Sequence, residues 1–230
     1  MIQDNLQKIK SNIHSAISES PYDNQQVTLV TVTKNHEIDE LKELYQAGSR
    51  IFGENRVQEF LTKKDQLPKD IHWHLIGHLQ KNKVKYIIGE VELIHSVDSI
   101  SLLDEIQRLS AKQDTVTNIL IQVNVAHEES KFGIDESEVE TMIQHCTKCS
   151  NISLKGFMCM APISDDEAFL TSIFKKMRII FDKYSNMSAE YDNINIEVLS
   201  MGMTSDYQTA IRCGANMVRI GTAVFQQNLL

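Results

Sequence analysis

The feature that most constrains this chain is an alternation. Eight short β-prone stretches, at about 27–33, 50–53, 72–76, 92–97, 118–125, 152–158, 194–199 and 217–220, are separated by stretches with helical spacing of their apolar residues. A helix also leads in, since Ile2, Leu6, Ile9, Ile13 and Ile17 recur every three or four residues and Pro21 follows. Strands alternating with helices call for parallel pairing through right-handed crossovers. Eight such repeats in 230 residues predict one α/β domain, a (β/α)8 TIM barrel over residues 1–230. An open doubly wound sheet is the competing arrangement, and no GxGxxG follows the first strand to favour it.

Composition narrows the function classes. The formal charge of -8 argues against nucleic acid or an anionic membrane as a partner, because both select a basic face. No apolar run approaches the ~20 residues of a membrane span. The first residues lack the basic and apolar regions of a signal peptide, so cytoplasmic residence is the default expectation. Cys146, Cys149, Cys159 and Cys213 are too few for a disulfide framework in a chain of this length. Cys146 and Cys149 have CxxC spacing without a second pair, and read as two reduced cysteines on a surface helix.

The first strand carries the most pointed chemistry. Val27, Val30, Val32 and three threonines run without a charge up to Lys34. Val30, Val32 and Lys34 share a parity, which puts the lysine on the face of two valines at the strand's carboxyl end. Partial desolvation there would disfavour the ammonium and free the amine for imine chemistry. A lysine at a strand end is more often a plain solvent cap.

Function in a barrel sits at the carboxyl ends of its strands. Two of those ends combine glycine, hydroxyls and a following helix: Ser200, Gly202 and Thr204 after the seventh strand, and Gly221 and Thr222 after the eighth. Free amides at helix starts beside small hydroxyl residues form a phosphate cradle. Barrel closure makes the eighth strand a neighbour of the first, so Arg219, Gly221 and Thr222 lie beside Lys34. A phosphate site next to a reactive lysine fits a phosphorylated aldehyde, with pyridoxal 5'-phosphate as the leading candidate.

Segments across most of the chain then resemble the pyridoxal phosphate homeostasis proteins. They are Val32-Thr33-Lys34, Phe52-Gly53-Glu54-Asn55, Trp73-His74-Leu75-Ile76-Gly77-His78, His95-Ser96-Val97-Asp98, Gln122-Val123-Asn124, Ser200-Met201-Gly202-Met203-Thr204 and Arg219-Ile220-Gly221-Thr222. The resemblance implies a barrel like the amino-terminal domain of alanine racemase, holding pyridoxal 5'-phosphate as an internal aldimine on Lys34. It implies Arg219 at the pyridine nitrogen, where an arginine weakens the ring as an electron sink. Ser200, Thr204, Gly221 and Thr222 would hold the phosphate, and Asn55 would lie near the ring. It further implies a role in vitamin B6 and amino-acid/keto-acid homeostasis without robust catalysis, so no residue is assigned as catalytic. Apo pyridoxal phosphate-dependent enzymes are candidate recipients of the cofactor, and a monomer is the expected assembly. Asn35-His36 and Arg56 depart from the family pattern, away from the aldimine and phosphate positions.

Other readings compete. His72, His74 and His78 lack a carboxylate at ligand spacing, so no metal is expected. Lys131 is a second lysine for imine formation, but it sits among Glu128 and Glu129, where it would stay protonated and paired. Lys81, Lys83 and Lys85 read as a solvated helix face, and 157–160 as barrel core. A racemase-like amino-acid enzyme would need an opposing tyrosine base from a second domain, for which a chain ending at Leu230 leaves no room. A lysine aldolase would need an acid/base carboxylate near the imine, and Glu54 is the candidate.

Overall fold

A computed structural model of the chain describes residues 1–22, 26–128 and 132–226. Eight parallel strands close into a barrel in sequence order: β1 (Thr28–Val32), β2 (Ile51–Glu54), β3 (His72–Leu75), β4 (Leu93–Val97), β5 (Thr117–Gln122), β6 (Ile152–Met158), β7 (Ile194–Ser200) and β8 (Met217–Ile220). Closure comes from β1 pairing with β8, Val30 opposite Arg219 and Thr31 opposite Ile220. The predicted TIM barrel is the observed architecture.

Helices α1 (Ile2–Ser18), α2 (Ile38–Gln46), α3 (Val57–Lys64), α4 (Ile100–Lys112), α5 (Val139–Cys146), α6 (Glu167–Ser185), α7 (Tyr207–Arg212) and α8 (Thr222–Phe225) flank the strands. Side chains cap the starts of α2, α4 and α6. Ser99 Oγ accepts from the Leu102 amide and Asp166 Oδ1 from the Phe169 amide, each satisfying a first-turn N–H. The lysine-rich stretch expected as a helix after β3 is a 3-10 helix, Lys81–Tyr86, with Val84 as its buried residue. No helix among the described residues is long and apolar enough to cross a membrane.

Two apolar layers hold the barrel. The larger lies between strands and helices, where Leu41, Phe52, Phe60, Leu75, Phe157 and Phe174 are fully buried. The smaller fills the barrel itself with Val30, Val32, Ile76, Leu93, Leu120, Met158 and Met217. Side chains alternate along a strand, so the residues two steps from Leu93, Ile76 and Met217 share the inward face. Those residues are His95, His74 and Arg219, all buried. The lining therefore turns from apolar to polar within the barrel.

Cys146 and Cys149 correct the surface-helix reading. Both are buried, Cys146 on the inner side of α5, and burial pushes both thiols up, away from reactive thiolate. Phe157, Met158 and Cys159 are core, as the sequence predicts.

Candidate functional site

Lys34 is exposed, two residues beyond the end of β1. Its expected desolvation is corrected: β1 stops at Val32, and the lysine is carried on a turn at the barrel mouth. That turn is built rigidly. Thr33 is fully buried, its hydroxyl donating to Glu54 Oε1 at 2.6 Å and its amide to the Gly53 carbonyl at 3.0 Å. Lys63, from α3, donates to the Thr33 carbonyl and to Glu54 Oε1, both at 2.8 Å. On the other flank, Asn35 takes a left-handed conformation (φ 62°) and gives its amide to Glu59 Oε2 at 2.8 Å. Asparagine is one of the few residues that visits this region at low cost. His36 then stacks on Phe225 of α8 with centroids 3.6 Å apart, tying the turn across the β8–β1 seam.

Glu54 does not serve the mouth. It is buried on the outward face of β2, paired with Lys63, and its Oε2 has no hydrogen-bond partner among the described residues. Burial pushes its carboxyl up, against the downward pull of Lys63 and Thr33. The acid/base role considered for it is replaced by a structural one.

Beside β1, Arg219 is 4% exposed. Nη1 donates to Ser200 Oγ at 2.6 Å and Nη2 to the Cys159 carbonyl at 2.8 Å. No carboxylate among the described residues forms an ion pair with it; Asp206 acts on it only as a nearby charge. The remaining guanidinium N–H groups have no acceptor among the described residues. Ser200 is fully buried, its hydroxyl engaged by Arg219 and by His95 Nδ1 at 3.1 Å. Its hydroxyl, expected to face a phosphate, stands under Arg219, inside the barrel.

The two loops expected to cradle a phosphate do meet. The Ala223 amide points to Thr204 Oγ1 at 3.5 Å, linking the loop after β7 to the start of α8. Gly202 makes the exit from β7 with φ 95°, where a Cβ would lie 2.7 Å from Ala210 Cβ, and its carbonyl accepts from the Arg219 amide at 3.0 Å. Gly221 sits against β1, where a Cβ would stand 3.0 Å from both Val32 Cβ and the Val32 carbonyl. The amides of Thr204, Ser205, Gly221 and Thr222 have no acceptor among the described residues. Thr222 is exposed and Asn55, at the end of β2, is half-buried.

The sequence raised His72, His74 and His78 only as candidate metal ligands, and gave His95, Glu59 and Lys63 no role of their own. His95 and His74 are hydrogen-bonded to each other within the barrel, Nε2 to Nδ1 at 3.0 Å. His72 is exposed beside Glu92, and His78 pairs with Asp98 at 3.3 Å and stacks on Phe132. Among the described residues no group of three or more ligating side chains is placed to hold a metal ion. The Glu54–Lys63–Glu59 set left one signal, the i,i+4 spacing of Glu59 and Lys63 on a helix. Lys131, the competing lysine, lies outside the described residues.

Comparison with known proteins adds the following. Residues 5–228 match the family model for the alanine racemase N-terminal domain. The pyridoxal phosphate homeostasis protein of Aquifex aeolicus is 37% identical over 221 residues, covering 96% of this chain and 95% of the relative. Its counterpart in Haemophilus influenzae is 35% identical over 227 residues, covering 97% and 94%. The structure of PipY from Synechococcus elongatus PCC7942, solved with PLP bound, superposes with a TM-score of 0.84 at 29% identity, over 98% of this chain and 100% of that one.

Proposed function

This chain belongs to the pyridoxal phosphate homeostasis proteins, within the alanine racemase N-terminal domain family, and on that footing we propose that it carries pyridoxal 5'-phosphate at its barrel mouth, bonded to Lys34. The observation that carries this reading is the buried, braced Arg219 beside β1, with N–H groups still free to donate.

The residues present fit the group. The acceptorless amides of Thr204, Ser205, Gly221 and Thr222 suit a phosphate. Arg219 suits a ring nitrogen that offers a lone pair, since a guanidinium donates and cannot accept. Bound there, the cofactor would supply an aldehyde carbon that bonds reversibly to amines and a ring that withdraws electrons. Thr204, Gly221 and Thr222 hold the phosphate in this reading, Gly202 shapes the turn above Ser200, and Asn55 borders the ring.

The same arrangement favours holding over turnover. Arg219 keeps its proton at any ordinary pH, so it stabilises an unprotonated ring nitrogen and leaves the ring a weak sink for carbanion charge. Lys34 on an exposed turn leaves the covalent link open to water and to incoming amines, which suits loading and release to recipient enzymes. The role that follows is intracellular vitamin B6 and amino-acid/keto-acid homeostasis, in the cytoplasm, without robust catalysis.

Spectrophotometric titration tests this. Adding pyridoxal 5'-phosphate should develop a saturable visible band at one equivalent per chain, and the loaded protein should racemise amino acids far below ordinary enzyme rates of about 1 s⁻¹. Turnover at or above that rate would replace the carrier reading with an enzyme.

A further inference from the structure

Within the barrel a single file of hydrogen bonds runs from the mouth toward the amino-terminal end. It passes from Arg219 Nη1 to Ser200 Oγ (2.6 Å), from Ser200 Oγ to His95 Nδ1 (3.1 Å) and from His95 Nε2 to His74 Nδ1 (3.0 Å). Beyond it, His74 Nε2 lies 3.9 Å from Glu92 Oε1 and has no closer acceptor among the described residues. Glu92 precedes the first residue of β4, so the file links opposite ends of the barrel.

The chemistry of its two ends fixes the direction of every proton. Arg219 has no acceptor, so Ser200 Oγ must accept from it. The Ser200 hydroxyl proton is then left to point at His95 Nδ1, which must be unprotonated. His95 Nε2 therefore carries its ring proton and donates to His74 Nδ1, which must also be bare. His74 Nε2 then holds a proton facing the Glu92 carboxylate. The reverse direction fails at both ends: it would strand the Ser200 proton beside a cation and turn a bare nitrogen lone pair toward a carboxylate. Burial, with the charge of Arg219 nearby, lowers the His95 pKa well below the usual imidazole range, which keeps that ring neutral.

We infer that Ser200, His95 and His74 are positioning residues: a hydrogen-bond brace of fixed polarity that immobilises the Arg219 guanidinium with its free N–H groups turned to the mouth, where they meet the ring nitrogen of bound pyridoxal phosphate. The inference rests on the carrier reading above for its last clause only; the polarity of the brace belongs to the protein alone. The Cys159 carbonyl fixes the second guanidinium nitrogen, so the plane has two anchors on neighbouring strands. Losing one hydrogen bond to a buried charged group weakens what that group holds by about 10- to 100-fold.

The test has two arms. In histidine-¹⁵N-labelled protein free of cofactor, at neutral pH, long-range ¹H–¹⁵N NMR should show His95 and His74 both neutral with the proton on Nε2. A proton on His95 Nδ1, or an imidazolium at either position, overturns the brace whether or not the cofactor binds. In the second arm, wild type, Ser200→Ala and His95→Phe are loaded with ring-¹⁵N pyridoxal phosphate. Both variants should keep the covalent link to lysine, shift the ring-nitrogen resonance away from its wild-type position and lose phosphate-held cofactor about 10-fold faster. His95→Gln, whose amide can accept from Ser200 and donate to His74, should restore the wild-type resonance. Thermal unfolding of each variant identifies any that fails to fold, in which case the other variant decides the outcome. A folded Ser200→Ala protein with an unshifted resonance overturns the positioning role, and a wild type that takes up no cofactor overturns the carrier reading while leaving the tautomer arm intact.

Discussion

Lys63 Nζ donates to the carbonyl of Thr33 at 2.8 Å, so the peptide that leads into Lys34 is tied to α3 by a buried cation. The same amine sits 2.8 Å from Glu54 Oε1, making a buried ion pair on the outer side of the barrel wall. Such pairs owe their effect to being complete. Removing one partner strands the other charge, at about 3–5 kcal/mol, whereas replacing both with apolar groups is close to neutral. Lys63→Met should therefore cost about 3–5 kcal/mol in urea unfolding, and Glu54→Leu/Lys63→Met should regain most of it. A single variant within about 1 kcal/mol of wild type would show that the pair does not anchor the turn.

Asn35 tests the turn from its other side. At φ 62°, a β-branched residue clashes with its own backbone while glycine does not. Asn35→Val should lose about 1–3 kcal/mol and weaken cofactor capture, and Asn35→Gly should stay near wild type on both counts. Equal behaviour of the two variants would mean that the backbone relaxes out of the left-handed region.

Gly221 separates cradle from scaffold. Its φ of -119° suits any residue, so what a side chain meets there is crowding against β1 and not backbone strain. A Cβ would press on Val32 at 3.0 Å. Gly221→Val should fold with a loss of about 1–3 kcal/mol, the usual cost of overpacking. Its dissociation constant for pyridoxal phosphate, read from the visible band, should rise at least about tenfold, a loss of about 1.4 kcal/mol. Unchanged affinity would move the phosphate site elsewhere.

Acid sensitivity should report on Glu92. The His74 and His72 imidazoles hold its carboxyl down to about 2, against about 4.3 when unfolded. A depressed folded pKa gives stability that is present above the unfolded value and lost as pH falls through the folded one. The stability difference between wild type and Glu92→Gln should be constant above about pH 5 and shrink as the pH approaches about 2. A difference that stays flat through this window would remove the carboxylate from the end of the histidine file.

How much of this was legible in the sequence depends on the range of the interaction. The barrel was readable because strand and helix periodicities are local, and eight of them leave few topologies. Arg219 beside β1 followed from closure alone. The burial state of Lys34 was misread because parity along a strand says nothing about where pairing stops; the stop at Val32 depends on Lys63, thirty residues away, and on Asn35. Ser200 looked like a cradle hydroxyl by its neighbours in sequence, yet its partners are His95 and Arg219, 105 and 19 residues away. His74 stood out only as a candidate metal ligand and within a family segment, and His95 only within a family segment. Each is one histidine on a strand, and the pairing of β3 with β4 is what brings His74 Nδ1 and His95 Nε2 to 3.0 Å.

The most direct test of the central claim is to load the protein with pyridoxal phosphate, reduce it with borohydride and map the modified lysine by peptide mass spectrometry. The account predicts one reduced adduct per chain, on Lys34, and no stable adduct in a folded Lys34→Ala protein. A protein that stays colourless on loading, or an adduct found on Lys131, would contradict it.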